Sequence, residues 1–322
     1  MAEIGWQGIR ITVPDDWEPG EFSGDGQSGH MRIDSMMQPR ALVRWLAPSA
    51  TKDVFGKVAT PIQGVDRILD NYIKALTKGE RKQKKHIEAD TSTRLLSKRK
   101  MGQRTVRTYS WRCPSDGRLA HGMVWHCKEC GRTVIAEVNG HEHEDVAGWA
   151  ETILPTVTDH AMDGQVLWAF FDLRVLVPEE FRLENSVMVG GKVELRLENG
   201  KREVISAQRW VANVALRGGD LEAWAKRDLF KPLRQQHTFK YTADSWFGHP
   251  GIRVDGRRKG PKEHLGFMWG RITGRERPFF LDGRIWHCEP TNKIHSLHTL
   301  TRESNRELID RIQETMRCHP ED

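Results

Sequence analysis

Val13-Pro14-Asp15-Asp16-Trp17 returns as Val177-Pro178-Glu179-Glu180-Phe181, and the reading of that pair decides the fold. Working outward, Arg32-Ile33-Asp34 recurs as Arg196-Leu197-Glu198 and Arg44-Trp45 as Arg209-Trp210. Lys98-Arg99-Lys100 recurs as Arg257-Arg258-Lys259, and Trp125-His126-Cys127 as Trp286-His287-Cys288. The partners keep their order and stay between 159 and 165 residues apart, which chance recurrence of short words does not produce. A period that long marks a doubled domain, not a solenoid. The 322 residues therefore divide into one copy at residues 1–157, a linker at 158–165 and a second copy at 166–322, each long enough to bury its own core.

Each copy opens with a strand, Ile9 to Val13 and Leu173 to Val177, that runs into proline and two acids at a turn. Two further strands follow, near Met31 to Ile33 and Leu42 to Leu46 in the first copy and Val193 to Leu197 and Ser206 to Ala212 in the second. Thr60 as a cap, Pro61, and Ile62, Val65, Ile68, Leu69, Tyr72, Ile73 and Leu76 at helical spacing predict a helix that stops at Gly79. Asp220 caps its counterpart, which carries Leu221, Trp224, Leu229 and Phe230 and is shortened by Pro232. More strands are expected at 106–111 and 122–138, with counterparts at 265–272 and 279–300. Helices close both copies, the second opened by a Ser304 to Glu307 capping box. Grouped strands with inserted helices predict an α+β fold: two tandem copies of a mainly antiparallel sheet covered by helices, sandwich-like in the α/β/α sense.

The Val-Pro-acid-acid-aromatic opening at 13–17 and 177–181, the mid-domain helix, the late hairpin and the closing helix resemble the PsbP/Mog1-like family. The resemblance spans both copies in outline. It implies non-enzymatic binding modules that serve a larger assembly, and it brings no catalytic residue to carry over.

Composition narrows the function classes. Net charge is +6 with a sequence pI near 9.1, a mild excess that suits an acidic partner. No stretch approaches the roughly 18 uninterrupted apolar residues of a membrane span, and the first twenty residues lack the pattern of a secretory leader, so no membrane partner and a cytoplasmic location are expected. The odd set of five cysteines, Cys113, Cys127, Cys130, Cys288 and Cys318, fits reduced thiols better than a disulfide framework.

Three features carry candidate chemistry. Gly24-Asp25-Gly26-Gln27-Ser28-Gly29 spells a dinucleotide fingerprint, but the residues after it read as strand where a phosphate site needs a helix N-terminus, so a turn is favoured. Cys127-Lys128-Glu129-Cys130-Gly131 resembles a zinc knuckle, with His141 and His143 downstream as further ligands. The second copy has Thr291 in place of Cys130 and Asn292 in place of Gly131. A plain hairpin with a left-handed residue explains both copies and is preferred over zinc in copy one or a redox thiol pair. Basic runs at Arg81, Lys82, Lys84 and Lys85, at Lys98, Arg99 and Lys100, and at Arg257, Arg258 and Lys259 are the candidate partner-binding residues. The expected function is a non-catalytic adaptor that presents these loops to a protein with an acidic surface. Nucleic acid is the alternative partner, and a zinc or thiol site in copy one the second alternative.

Overall fold

The computed structural model describes residues 1–36, 38–47, 64–93 and 105–319. The chain forms two compact units, Met1–Met162 and Asp163–Asp322. In the first, strands β1 (Ala2–Trp6) and β2 (Ile9–Val13) make a hairpin. Its turn residues Gln7 and Gly8 both take positive φ, the geometry that matches strand twist in a two-residue hairpin. A seven-stranded antiparallel sheet follows, built from β3 (Glu18–Gly24), β4 (Ser28–Ser35), β5 (Gln38–Leu46), β6 (Glu88–Asp90), β7 (Thr105–Cys113), β8 (Arg118–His126) and β9 (Thr133–His141) in the order β3-β4-β5-β9-β8-β7-β6. Helix α1 (Val65–Lys82) precedes β6, and helix α2 (Val146–Ile153) follows β9.

The second unit repeats that topology. Hairpin β10 (Gln165–Phe170) and β11 (Leu173–Pro178) turns through Phe171 and Asp172, again both at positive φ. The sheet then comprises β12 (Arg182–Val189), β13 (Lys192–Glu198), β14 (Val204–Val211), β15 (His237–Trp246), β16 (His249–Arg258), β17 (Phe280–Cys288) and β18 (Lys293–Thr301), ordered β12-β13-β14-β18-β17-β16-β15. Short helices α3 (Ala212–Leu216) and α4 (Leu221–Trp224), helix α5 (Pro261–Thr273) and helix α6 (Leu308–Gln313) complete it. Even a bulge is shared: the first sheet strand loses register between Pro19 and Glu21 in one unit and between Leu183 and Asn185 in the other. The Val-Pro-acid-acid turn also closes alike, Trp17 N–H donating to Pro14 O at 3.1 Å and Phe181 N–H to Pro178 O at 3.0 Å.

The helix-covered α+β expectation is not met. Among the described residues strand makes up 48% and helix 23%, so the fold is largely β. The helices are too short to roof seven strands. Helix α1 lays Leu69 and Tyr72 against β7 and β8, and α2 packs Val146, Ala150 and Ile153 on the other face, beside β8 and β9. In the second unit Gly218, Gly219 and Pro232 break the mid-domain helix into α4, a π turn at Ala225–Leu229 and a 3₁₀ turn. Asp220 Oδ1 still caps α4 by accepting from Ala223 N–H at 2.7 Å.

Three local expectations need correction as well. The predicted cap and first turn, Thr60 to Ile62, lie outside the described residues, and α1 runs past Gly79 to Lys82. The segment 265–272 is helix, not strand. Arg44-Trp45 and Arg209-Trp210 are one residue out of step. Trp45 pairs with Val134, which pairs with Trp125, whereas the residue facing Trp286 through His295 is Arg209. Because strand side chains alternate, Trp210 lies on the opposite sheet face from Trp45. It packs edge-on against Trp224 at 5.5 Å. No described helix is long and apolar enough to cross a membrane.

Candidate functional site

The two sheets differ most where β7 meets β8 and β16 meets β17. The first unit makes that connection with the tight turn 114–117, whereas the second inserts residues 259–279, which form α5. Gly260 at φ +100° and Pro261 start the helix, and Gly274 in the left-handed region ends it. Phe267 holds it to the unit, stacked on Phe279 at 4.6 Å and edge-on to Phe280 at 5.5 Å, and His264 adds an edge contact to Phe279 at 5.0 Å. Leu265, Met268, Trp269 and Ile272, spaced i, i+3, i+4 and i+7, point the other way and are 61–76% exposed. An amphipathic helix normally turns its apolar stripe inward. Here the stripe faces solvent.

Around that stripe charge is one-sided. Residues 257–277 hold seven Lys or Arg against two Glu, a net +5. Arg257 and Arg258 close β16, Arg258 reaching Glu263 at 3.7 Å, and Lys259 Nζ donates to Arg234 O at 2.6 Å. Arg271 pairs with Glu303 at 3.0 Å yet is 57% exposed. Among the described residues, the other predicted basic positions lie at the end of α1 and just after it. Arg81 and Lys82 occupy the last turn of α1, where cations suit the helix dipole. Lys84 and Lys85 follow it, and Lys85 is bound to Asp116 at 2.9 Å. Lys98, Arg99 and Lys100 lie outside the described residues. In sequence they fall between β6 and β7, so they are not the counterparts of Arg257 to Lys259 at the end of β16.

The predicted zinc ligands are separated by the fold. Cys127 and Cys130 sit on the β8–β9 turn with Gly131 in the left-handed region. His141 lies at the far end of β9, paired with Arg118, and stacks on His143 at 5.8 Å between ring centres. The cysteines instead meet Asp159 and His160, residues expected in a linker. Thr158 bridges to Arg10 of β2 and brings both into the first unit. Cys127 Sγ is 3.5 Å from His160 Nδ1, and Cys130 Sγ is 3.7 Å from Asp159 Oδ2, which also accepts a hydrogen bond from Trp125 Nε1 at 3.1 Å. Burial, reinforced by Asp159 and Cys127, pushes the Cys130 thiol up to about 12. Alone, such a thiol is a poor nucleophile, which disfavours the redox reading.

A cavity of about 280 Å³ in the first unit offers a second place for chemistry. Its charged walls are paired internally: Arg40 grips Glu144 through two hydrogen bonds of 2.7 and 2.8 Å, Arg118 reaches Glu80 at 2.8 Å, and Glu137 accepts from Tyr72, Tyr109 and Trp111. The glycine-rich Gly24 to Gly29 stretch is a turn between β3 and β4, capped by Asp25 Oδ1 on the Gln27 and Ser28 amides. Two signals were legible and missed: the i, i+3, i+4, i+7 stripe of α5, and the recurrence of Asp159-His160 as Cys318-His319 after each terminal helix. No protein-family model matches the chain, and no curated protein matches it.

Proposed function

We propose that the protein is a non-catalytic binding module whose second unit docks an acidic partner protein through the outward face of α5. One observation carries this reading: a helix inserted into only one of two topologically repeated sheets leaves Leu265, Met268, Trp269 and Ile272 in solvent. An insertion that the shared scaffold folds without, and that exposes a contiguous apolar stripe, marks an interaction surface. The net +5 of residues 257–277 selects a groove with an acidic rim, and Trp269 supplies the kind of aromatic anchor that dominates interface energies. The PsbP/Mog1-like resemblance implies the same class of function. A cytoplasmic setting belongs to the proposal, supported by five cysteines that form no disulfide.

The test compares capture from the native cell by the full chain with capture by Leu265→Asp/Ile272→Asp and by Arg257→Glu/Arg258→Glu. The expected result is a protein retained by the wild type, released by salt and lost from both variants. Equal retention by all three removes the α5 surface from the account. Nucleic acid is distinguished by anisotropy with random duplex and single strands: salt-sensitive binding abolished by Arg257→Glu/Arg258→Glu moves the function to that class.

A further inference from the structure

The second unit closes on a group of the same kind as Cys127, Cys130, Asp159 and His160. His249 at the start of β16, Cys288 at the end of β17, and Cys318 and His319 beyond α6 each bring one ligand atom to within 4.8 Å of the others, as do the four residues of the first unit. Cys288 Sγ lies 3.4 Å and Cys318 Sγ 3.2 Å from His319 Nδ1. Tetrahedral ligands of zinc, bonded at about 2.3 Å for sulfur and about 2.0 Å for imidazole, stand roughly 3.3 to 3.8 Å apart. The sulfur contacts, 3.5 and 3.7 Å in the first group and 3.4 and 3.2 Å in the second, are close to that spacing.

Position links the two groups. Cys127 and Cys288 both follow Trp-His at the end of the sixth strand of their sheets, and His160 and His319 both follow the terminal helix. Asp159 and Cys318 are likewise equivalent, one ligand type exchanged for another. Trp125 Nε1 donates to Asp159, and the indole of Trp286 lies against Cys318. Only the fourth member changes place. It comes from the β8–β9 turn as Cys130 in the first unit and from the start of β16 as His249 in the second. The loss of Cys130 to Thr291, which argues against a metal when the sequences are compared, is made good by a histidine from the neighbouring strand on the other side.

The surroundings fit a cation. His249 Nε2 is buried and, among the described residues, has no hydrogen-bond partner. The Asp159 side chain is 0% exposed and meets His160 Nδ1 at 3.0 Å, and a buried carboxylate is tolerated only when it is paired or coordinates a metal. His160 turns Nδ1 toward Cys127 and gives Nε2 to Glu129 Oε2 at 3.0 Å, the carboxylate–imidazole relay that orients metal-bound histidines.

We infer that each unit holds one tetrahedral Zn²⁺, bound by Cys127, Cys130, Asp159 and His160 in the first and by His249, Cys288, Cys318 and His319 in the second. Sulfur and imidazole in a four-membered protein set select zinc and leave no open position, so the role is structural. Each ion clips the chain that leaves the terminal helix to a sheet turn. On binding, two thiols per site release their protons to solvent as two Zn–S bonds form, and the imidazoles bind neutral.

Elemental analysis of the full chain, loaded with zinc and desalted, is expected to find two ions per chain. Cys130→Ser and His249→Ala should each leave one. Cobalt in place of zinc should give the intense visible bands of four-coordinate cobalt together with sulfur-to-metal charge transfer. Because a variant can fail to fold, the unmodified chain supplies a further readout: zinc should protect Cys127, Cys130, Cys288 and Cys318 from alkylation. A metal-free chain after loading, a weak six-coordinate cobalt spectrum, or cysteines alkylated equally fast with and without zinc would each overturn the assignment. None of these readouts depends on whether α5 binds a partner.

Discussion

At Glu137 a single oxygen, Oε2, accepts hydrogen bonds from Tyr72 Oη at 2.8 Å and from Tyr109 Oη and Trp111 Nε1 at 3.0 Å each. Burial raises the carboxyl above its ordinary value, and the three donors oppose that rise without cancelling it. An acid with a raised folded pKa is held best in its protonated form. Its contribution is therefore complete at low pH, and it is lost as pH climbs from the unfolded value of about 4.3 through the folded one. Glu137→Gln keeps an acceptor and removes the charge. Denaturant unfolding of the two proteins should show the wild type falling behind the variant as pH rises above about 4.3; parallel profiles would contradict the charge argument. Gly122, opposite Glu137 in the sheet, has a different constraint: a Cβ there would come within 2.3 Å of the Tyr109 ring. Gly122→Ala is expected to destabilise by about 1–3 kcal/mol through overpacking, read as a lower denaturation midpoint at unchanged slope. The residue pattern alone placed Tyr72 on a helix and Tyr109 and Trp111 on a strand. That their three polar heads converge on one carboxylate depends on α1 crossing β7 and β8, a contact that no local pattern specifies.

Helix α5 shows how an element can be misread when only its composition is considered. Leu265, Phe267, Met268, Trp269 and Ile272 form an apolar run that suits a strand, and the expected equivalence of the two copies reinforced that assignment. The spacing of Leu265, Met268, Trp269 and Ile272 is helical, and Gly260-Pro261 and Gly274 bracket it. Because these four side chains are mostly exposed, Leu265→Asp/Ile272→Asp should change unfolding free energy by no more than about 0.5 kcal/mol per site. Phe267→Ala, which removes the stacked contact to Phe279, should cost more and loosen the helix. Thermal melts and helix-resolved hydrogen exchange distinguish these outcomes, and a large loss in the double aspartate variant would show that the stripe is packed. The one-residue shift between Trp45 and Trp210 carries a related lesson. Short repeated words align a duplicated chain to within a residue, and in a strand one residue is a change of face.

Across the whole chain, acid is expected to weaken the second unit. His298 is buried against Phe230, and burial, aided by Arg196, lowers its pKa to about 3. A histidine held neutral in the fold lends stability above its unfolded value near 6.5, and that stability is lost as pH falls below 6.5 toward the folded value, by about 1.4 kcal/mol per pH unit. Glu203 acts in the same direction. Burial alone would raise it, but Arg302 and Asn199 hold it below the usual range, so its contribution also fades in acid. Hydrogen exchange of the full chain at pH 7 and pH 5 should show β14, β17 and β18 losing protection. Unchanged protection in those strands would contradict the buried-neutral histidine. Sequence by itself determined that one topology is used twice, where its turns fall and that Cys127 and Cys130 belong together, because these properties reside in words of a few residues with fixed local geometry. Only the tertiary structure decided that the protein is largely β, that Asp159 and His160 complete the cysteine cluster, and that His249 replaces the missing cysteine in the second unit. Those outcomes rest on which strands become neighbours, and strand pairs such as Ala41 with Val138 and Val204 with Leu300, far apart in sequence, leave no periodicity in the chain.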